Sequence, residues 1–587
     1  MIQFSFFRFF ATLVLLSFTI AELSTPHFVP CPSTTGSLLR SSISRDSKQT
    51  LGPREAQYIS SRRAKFARPA YLKFLNNVQR SLQKKSPTTS LPNYVTQVLG
   101  GPQTALFPRT GFAVSGGGLR ATLYSLGVLS AFEGKNQLSI EAGTGGLLNA
   151  ADYISGLSGG AWTVVGLTYS AYDLATITNP GALAHLLPQF DLFSPGKLNK
   201  APGSTADETN KKYVTEALTK MSAKHQAGFR VTIADMWGLF VRYHTLGKTT
   251  AASFYDYSLS HGDEETVSGI RNLSNFQQNL QPYPIITALG SSTSAGYTAQ
   301  KQPSAFSPIT SNHWDSNLAS FIPTEILGSR LKAGVPIDRT KCANRFDQTH
   351  FLAGISSDIF PMMNTSQEYF FKRVMSILWC KLSATHLGQL SLASRSTPPQ
   401  YPSILPVGKP NYPDNNSLDL RLLDGGLDGA VTPYYPLLVP ARQLDVIVGV
   451  DAVSLDNDGG DNYSTGASLM ATYARASLQS QHQPDTALLV WLPNSAPLDG
   501  SRGITNSSIN RVQYEPAEAS KIISAASEIG YRGFPNQQLI KTKQYRDPLW
   551  PACLACAVAD RSRSRMRVER TGVCADCFDR YCWKGGP

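Results

Sequence analysis

The sequence has few charged residues and, after residue 21, no long apolar run. Charged side chains make up 16% of the 587 residues and hydrophobic ones 42%, a balance typical of folded globular proteins and not of disordered chains. No later apolar run is long enough to cross a bilayer, so we expect no membrane-spanning segment in the mature chain. The C-terminus carries no apolar tail, so we expect no lipid anchor.

The common nucleotide and metal motifs are also missing. The glycine-rich segments match neither the GxxxxGK[ST] loop nor the GxGxxG loop. An acidic turn at residues 456–461 lacks the distal glutamate of a calcium loop. None of the nine histidines lies in a recognisable catalytic motif. We therefore predict an activity that needs no cofactor, no calcium and no other metal.

The N-terminus has the form of a secretory signal. Arg8 precedes an apolar run from Phe9 to Ala21, which is too short to span a bilayer. We expect cleavage near Glu22 and a protein that is extracellular or associated with the cell wall. Glycosylation is then expected at five Asn-x-Ser/Thr sites, at Asn272, Asn364, Asn415, Asn462 and Asn506.

Secretion favours disulfides over free thiols. The eight cysteines, an even number, are Cys31, Cys342, Cys380, Cys553, Cys556, Cys574, Cys577 and Cys582. Two C-x-x-C pairs separated by 17 residues, between Cys556 and Cys574, also have the spacing of a four-cysteine zinc site. Arginines between the pairs would suit nucleic acid. We predict disulfides, no metal and no nucleic acid, and zinc stays open as the alternative.

The net charge of +13 favours contact with anionic surfaces. One basic cluster comprises Arg62, Arg63, Lys65, Arg68, Lys73, Arg80, Lys84 and Lys85. A second comprises Arg561, Arg563, Arg565, Arg567 and Arg570. We interpret both as solvated faces. Apolar residues recur at helical spacing between Tyr71 and Leu82, which predicts an amphipathic helix packed on the main body or, alternatively, lying on a membrane surface.

Two short glycine-rich segments supply the groups that acyl transfer needs. Ser115–Arg120 follows an apolar stretch and leads into a helical pattern, and Gly156–Gly160 is a GxSxG segment in a similar setting. Such a turn lifts Ser158 above a sheet edge as a nucleophile. The N–H groups of the glycine loop can stabilise the oxyanion that forms.

A base for Ser158 must come from elsewhere in the chain. Asp424 follows an apolar stretch and precedes Gly425-Gly426, so we place it at a strand end, where sheets present functional groups. Two interpretations stay open. Asp424 acts directly on Ser158 as a dyad, or His482 completes a triad in the α/β-hydrolase order. The polar, loop-like surroundings of His482 favour the dyad.

Alternation of strands and helices predicts an α/β fold. The motif residues range from 115 to 428, which favours one large domain. The predicted organisation is a signal peptide (1–21), an N-terminal helical segment packed on the catalytic domain (22–100), the catalytic domain (101–545) and a cysteine-rich segment of the same domain (546–587).

Three blocks, Ser115–Ala121, Gly156–Trp162 and Asp424–Asp428, resemble the signatures of the fungal lysophospholipase (phospholipase B) family. That family shares its catalytic domain with the cytosolic phospholipases of animals. The similarity extends from Cys31-Pro32 to Tyr581-Cys582-Trp583, so it covers nearly the whole mature chain. It implies a patatin/cytosolic-phospholipase-like fold, with a central mixed sheet flanked by helices and a disulfide-rich C-terminal segment.

The resemblance also implies a role for each motif residue. Ser158 would form an acyl-enzyme with Asp424 as its base and without a histidine. The oxyanion hole would consist of Gly117, Gly118 and Gly159. Arg120 would hold the substrate phosphate or stabilise charge near it.

The implied substrates are acyl esters of lysophospholipids and diacyl phospholipids, met transiently on micelles or membrane surfaces. The implied reactions are hydrolysis and transfer of the acyl group to a second lysophospholipid. Leu427 and Val431 depart from the family, which usually has Glu and Asn there. We expect these changes to alter pH optimum or head-group preference, and they leave an inactive lipid-binding homologue open as an alternative.

Overall fold

The structure is a computed structural model that describes residues 24–33, 36–41, 50–100, 106–172, 174, 186–291, 301–308, 310–312, 320–332, 334–360, 400–402, 419–453, 462–479 and 486–583. The signal segment and four residues with predicted roles, Asn364, Cys380, Asn415 and His482, lie outside this part of the chain.

Sixteen α-helices and fifteen strands are described. The helices are α1 (Pro53–Arg62), α2 (Arg68–Lys85), α3 (Asn93–Gly100), α4 (Gly118–Ser130), α5 (Gln137–Ala142), α6 (Leu147–Ala150), α7 (Gly159–Tyr169), α8 (Ala206–Gln226), α9 (Ile233–Thr245), α10 (Ser274–Gln277), α11 (Thr349–Ser356), α12 (Ala467–Gln479), α13 (Pro516–Arg532), α14 (Gln537–Lys541), α15 (Trp550–Arg565) and α16 (Val573–Tyr581). The strands are β1 (His27–Val29), β2 (Arg40–Ser41), β3 (Thr110–Val114), β4 (Tyr153–Leu157), β5 (Tyr283–Ser291), β6 (Lys301–Phe306), β7 (Thr310–Asn312), β8 (Ser320–Pro323), β9 (Leu331–Lys332), β10 (Val335–Pro336), β11 (Cys342–Asn344), β12 (Gln400–Pro402), β13 (Asp419–Leu423), β14 (Val446–Asp451) and β15 (Leu488–Pro493).

The chain forms two compact units, each built from three separate segments. The larger unit takes its described residues from 43–183, 272–287 and 425–587. The smaller unit takes them from 1–42, 184–271 and 288–424. Strand β5 contributes its first residues to the larger unit and its last residues to the smaller one.

The larger unit is built around a parallel sheet with the strand order β15-β14-β3-β4-β5. Every neighbouring pair in this order runs parallel. Strands β3, β4 and β14 are buried along their whole length, which explains their continuous apolar sequences. Because the strands are parallel, Val114, Leu157 and Asp451 all lie at the carboxyl edge, the edge at which such sheets bind ligands.

Helices cover this sheet with the apolar faces that the sequence predicts. The stripe of α2, with Tyr71, Phe74 and Val78 at 0% exposure, is buried as expected, and Tyr71 Oη donates to Thr110 Oγ1 at 2.7 Å. Helix α4 packs so closely on α13 that a Cβ at Gly127 would lie 2.3 Å from the carbonyl oxygen of Ile523. The helical prediction for the N-terminal segment holds from Pro53 onward, whereas the short strands β1 and β2 precede it.

The smaller unit contains antiparallel strands and a helical layer. Here β13 pairs antiparallel with the last residues of β5, with Leu423 opposite Leu289, so the sheet is mixed as predicted. Helix α8 begins at a capping box formed by Thr205 and Glu208, and α9 packs against α11. The fold class is therefore α/β, as the sequence predicts.

Three disulfides are present among the described cysteines. Cys31 is bonded to Cys342, Cys553 to Cys577, and Cys556 to Cys574. The C-terminal pairs that resemble a zinc site are therefore cross-linked to each other, and their sulfurs are not available as thiolate ligands. Cys582, which is exposed, takes part in none of the three. No helix in the described ranges is both long and apolar enough to cross a membrane.

Candidate active site

Ser158 lies on a sharp turn between β4 and α7. Its backbone has φ 52° and ψ −124°, a conformation that side chains other than glycine rarely adopt. Helix α7 begins at the next residue, so its N-terminal N–H groups and positive dipole end lie beside Ser158. The Ser158 residue is 6% exposed. This is the strained strand–turn–helix that the GxSxG pattern predicts for a nucleophile.

Glycine is required on both sides of the turn because other backbone passes close by. A Cβ at Gly156 would lie 2.4 Å from the carbonyl oxygen of Gly160. A Cβ at Gly160 would lie 2.2 Å from the carbonyl oxygen of Val114, at the end of the neighbouring strand β3. The two glycines therefore let β4 turn directly into α7 while α7 packs against β3.

The three-glycine loop lies against the same turn. A Cβ at Gly116 would be 2.9 Å from the Cβ of Ser158, and one at Gly159 would be 2.1 Å from the carbonyl oxygen of Gly118. Gly117 and Gly118 have φ values of 127° and 62°, which favour glycine. The two glycine-rich segments that the sequence singles out are thus in direct contact.

The N–H groups of the loop have different roles. Gly116 donates its N–H to the carbonyl oxygen of Val431 at 3.1 Å, and Ser115 donates its N–H to Val450 at 3.0 Å. Within the described part of the chain, no acceptor is found for the N–H groups of Gly117, Gly118 and Gly159. They begin α4 and α7, where N–H groups have no partner inside the helix. These are the three donors predicted for the oxyanion hole.

Asp424 follows β13 in the smaller unit, at the predicted strand end. It is 5% exposed, and its N–H donates to the carbonyl oxygen of Asp358 at 3.0 Å. The next residue, Gly425, belongs to the larger unit, where a Cβ on it would lie 2.8 Å from Leu157 Cδ1. Leu157, which precedes Ser158, and Gly425, which follows Asp424, are therefore in close contact within the larger unit.

Asp358 is a buried carboxyl group that sequence reasoning missed. It is fully buried just after α11, and its Oδ1 accepts the N–H of Phe360 at 3.2 Å. Burial raises the pKa of Asp358 well above its usual range, and the nearby carboxyl groups of Asp424 and Asp235 raise it further. This shift favours the protonated, uncharged form of Asp358 beside Asp424. The signal was a carboxylate directly after an apolar helical stretch.

Arg120 is buried behind the glycine loop, at 0% exposure. Its guanidinium donates to the carbonyl oxygens of Ala452 at 2.7 Å, Ser507 at 3.0 Å and Asn462 at 3.5 Å. It therefore ties three distant chain segments together. The predicted contact with a phosphate stays a prediction.

Asp451 is a second buried acid that the sequence reading did not identify. It is the last residue of β14, at the carboxyl edge of the parallel sheet. Its carboxylate accepts hydrogen bonds from Trp491 Nε1 at 2.7 Å and from the N–H of Val453 at 2.9 Å. Burial raises the pKa of Asp451, while these bonds and the charge of Arg120 oppose the rise. The sequence signal that could have identified Asp451 is an acidic residue directly after the apolar stretch Val446–Val450.

The described buried histidines have structural partners in the smaller unit. His244 Nδ1 lies 2.9 Å from the carbonyl oxygen of Leu187. In His261, Nδ1 lies 3.0 Å from Thr249 Oγ1, and Nε2 lies 3.0 Å from the carbonyl oxygen of Asp256. Burial lowers the pKa of both to about 4. A third buried histidine, His350, has its Nε2 3.8 Å from Asp263 Oδ1, and burial lowers its pKa to about 3. The remaining candidate base, His482, lies outside the described residues.

Comparison with known proteins agrees with this geometry. Residues 110–497 and 480–587 match the family described as the lysophospholipase catalytic domain. The chain belongs to this lysophospholipase family. It is 29% identical over 519 residues to Lysophospholipase 2 of Aspergillus fumigatus, covering 81% of this chain and 82% of that one. It is 28% identical over 608 residues to Lysophospholipase 3 of the same species, covering 96% and 88%.

Solved structures support the fold of this lysophospholipase-family chain. Human GIVD cytosolic phospholipase A2 superimposes with a TM-score of 0.57 at 15% identity, covering 92% of this chain and 72% of that one. The same human protein in complex with methyl gamma-linolenyl fluorophosphonate gives a TM-score of 0.53 at 16% identity, covering 92% and 70%. The predicted cytosolic-phospholipase-like α/β fold is confirmed, and the family assignment makes the chain a hydrolase of the lysophospholipase type.

Replacement of Arg120 by lysine is expected to destabilise this lysophospholipase-family chain. An ammonium group cannot reach three carbonyl oxygens that a planar guanidinium spans, so at least one buried acceptor loses its donor. We expect a fall in unfolding free energy of about 1–3 kcal/mol, measured by urea denaturation, together with a lower kcat.

Arg511→Lys is the matched control, because its partly exposed guanidinium pairs with Glu518 near the same loop. We expect that control to lose at most about 1 kcal/mol. If Arg120→Lys is as stable as the wild type but raises KM for a lysophospholipid, Arg120 binds substrate and the structural role is wrong.

Proposed function

We propose that this protein is a secreted lysophospholipase that releases fatty acid from lysophospholipids, and from diacyl phospholipids, through an acyl-enzyme on Ser158. The observation that carries the proposal is the contact between the strained Ser158 turn, which begins α7, and the glycine loop, which begins α4. Membership of the lysophospholipase family supports the substrate class.

In the proposed reaction, Ser158 Oγ attacks the acyl carbonyl carbon and its proton passes to the Asp424 carboxylate. The carbonyl oxygen becomes an oxyanion held by the N–H groups of Gly117, Gly118 and Gly159. The glycerol oxygen leaves with the proton from Asp424, which leaves an ester on Ser158. Water then attacks this ester and releases the fatty acid, or a second lysophospholipid attacks it in a transacylase reaction.

The environment proposed for Asp424 supports its role as the base. Burial favours the protonated form of the neighbouring Asp358, which reduces the negative charge beside Asp424. The helix N-termini at Ser158 stabilise the negative charge that develops on the substrate. Arg120 contributes through the loop that it holds, with its charge close to Gly117.

Secretion and glycosylation are part of the proposal. The disulfide between Cys31 and Cys342, and the two in the C-terminal segment, suit an oxidising compartment. Of the five sequons, Asn272 lies exposed at the end of a 3₁₀ turn, which makes it the most accessible acceptor in the described residues.

The test is fatty-acid release by the purified protein from lysophosphatidylcholine micelles and from diacyl phosphatidylcholine, without added calcium. We expect release from both, with the lysophospholipid turned over faster. A chelator should leave the rate unchanged. Binding of lysophosphatidylcholine without any release would instead identify an inactive lipid-binding homologue and overturn the proposal.

A further inference from the structure

The two basic clusters of the sequence meet at one edge of the larger unit. Helix α15, which carries most of the second cluster, packs against α2 and α3. Helix α2 carries most of the first cluster. Residues that are almost 500 positions apart in the sequence therefore belong to one surface.

Two ion pairs fix this surface at the amino edge of the parallel sheet. Arg63 pairs with Asp152 at 3.0 Å, immediately before β4. Arg565 pairs with Asp445 at 2.5 Å, immediately before β14. The two carboxylates also accept the backbone N–H groups of Thr110 and Arg109, at the start of β3 between these strands.

The acids at this edge are outnumbered by basic groups. Asp560, which is 1% exposed, already pairs with Arg561, Arg563 and Arg570. From residue 53 to residue 100 the chain has nine basic residues and one acid, Glu55. Glu55 is buried against Arg442 at 3.0 Å, so it does not neutralise the outer face.

The outer face of this region is basic and exposed. We define the basic surface by six exposed side chains, which are Lys73, Arg80, Lys84, Lys85, Arg565 and Arg567. Burial lowers the pKa of Lys85, and the charges of Arg546 and Lys84 lower it further, which places another arginine beside this end of α2. The exposed acids Glu141 and Glu569 lie in the same part of the unit and offset only part of this charge.

Arg565 of the basic surface and Ser158 lie at opposite edges of the same sheet, because Asp445, the partner of Arg565, precedes β14, whereas Ser158 follows β4. Asp152, which holds Arg63, precedes β4, whereas Ser158 follows it. The five residues of β4 separate the two edges by about 16 Å at roughly 3.3 Å per residue. A lipid layer bound to the basic surface would therefore not be in front of Ser158.

We propose that the basic surface binds an anionic polysaccharide and holds the protein on it while the Ser158 edge stays open to substrate. Charge complementarity carries the choice of a polyanion. Helix α2 presents its basic side chains along 18 residues, about 27 Å at 1.5 Å per residue, which suits an extended polymer.

The apolar content of the surface favours a polysaccharide over a nucleic acid or a membrane. In the described residues of α1 and α2, Leu72 is the only exposed large apolar side chain, at 38% exposure. No aromatic platform for stacked bases is therefore exposed on these helices. Together with Val568, which is 39% exposed beside Arg567, Leu72 gives little apolar area for insertion into a lipid surface.

The test compares three forms of the full-length protein on immobilised heparin, used as the anionic polysaccharide probe. The surface variant carries Lys73→Glu, Arg80→Glu, Lys84→Glu and Lys85→Glu. The matched control makes the same charge change on exposed lysines of the smaller unit, with Lys197→Glu, Lys200→Glu, Lys211→Glu and Lys212→Glu. Circular dichroism and thermal unfolding check that both variants fold.

We expect the surface variant to lose at least about tenfold in heparin affinity, with a slope of log affinity against log salt that falls by about three. The control should keep most of its affinity. Both variants should hydrolyse lysophosphatidylcholine micelles at the wild-type rate. This assay tests the proposed function separately from heparin binding.

Four outcomes would overturn the proposal. In the first the surface variant elutes with the wild type, and in the second the control loses as much affinity as the surface variant. Alternatively, the surface variant loses binding to phosphatidylcholine vesicles that contain about one third phosphatidylserine and keeps its heparin binding, which identifies a membrane partner. Finally, short single-stranded DNA competes with heparin at equal charge, which means that the surface does not select a polysaccharide.

Discussion

Ser158→Ala is expected to lower fatty-acid release from lysophosphatidylcholine by roughly 10⁴-fold or more, without unfolding the protein. The hydroxyl is the only atom removed, and the alanine Cβ occupies the position that the serine Cβ has beside Gly116. The strained backbone at φ 52° is kept by the glycines around it, so the turn persists in the variant. Without Oγ no acyl-enzyme forms, and only direct attack by water in the oxyanion hole remains.

The measurement combines steady-state release with covalent labelling. An alkyl fluorophosphonate should add one mass increment to the wild type, on the peptide that contains Ser158, and none to the variant. Ser170→Ala, at the C-terminal end of the same helix α7, is the matched control, because Ser170 Oγ only donates to the carbonyl oxygen of Leu167 at 3.1 Å. Full activity of Ser158→Ala, or labelling of another serine, would show that the nucleophile is elsewhere.

The features of the site that sequence reasoning predicted are those set by local backbone geometry. Glycines at positions 117 and 118 predict a turn with positive φ, and the GxSxG pattern predicts a serine between a strand and a helix. Likewise, the 3.6-residue spacing of apolar side chains between Tyr71 and Leu82 identified the buried face of α2. Such patterns report constraints that act within a few residues.

The features that it missed depend on segments far apart in the chain. The carbonyl oxygens that accept hydrogen bonds from Arg120 lie more than 330 positions later in the chain, and no local sequence pattern predicts them. The spacing of the C-x-x-C pairs is compatible with a zinc site and with disulfides. The pairing of the cysteines depends on how helices α15 and α16 pack against each other, which the spacing does not predict. The two units are each built from three separate segments of the chain, so no local change in composition marks their limits.

Asp424→Asn is expected to lower the rate by roughly 10³- to 10⁴-fold, the range for loss of a catalytic carboxylate. The asparagine side chain has the same shape, and the backbone N–H still donates to Asp358, so the fold is kept. An amide does not accept the proton of Ser158 Oγ, so attack on the ester slows. The same variant should react slowly with a fluorophosphonate, because that reaction also needs an activated serine.

Asp428→Asn is the matched control four residues later, since an amide oxygen can still accept the N–H of Ala430 as Asp428 Oδ1 does at 2.8 Å.

His482→Ala separates the dyad from the triad, which Asp424→Asn alone cannot do, because both arrangements need the carboxylate. In a dyad the serine proton passes directly to Asp424, so His482→Ala should keep kcat/KM within about threefold of the wild type at every pH tested. In a triad the histidine carries the proton and the aspartate only orients it, so the same change should cost as much as loss of the serine. Equal, large losses in His482→Ala and Asp424→Asn would therefore assign this chain an α/β-hydrolase mechanism. Loss in Asp424→Asn alone, with unchanged labelling of Ser158 in His482→Ala, is the result we expect, because the proposed reaction passes the serine proton directly to Asp424 and uses no histidine.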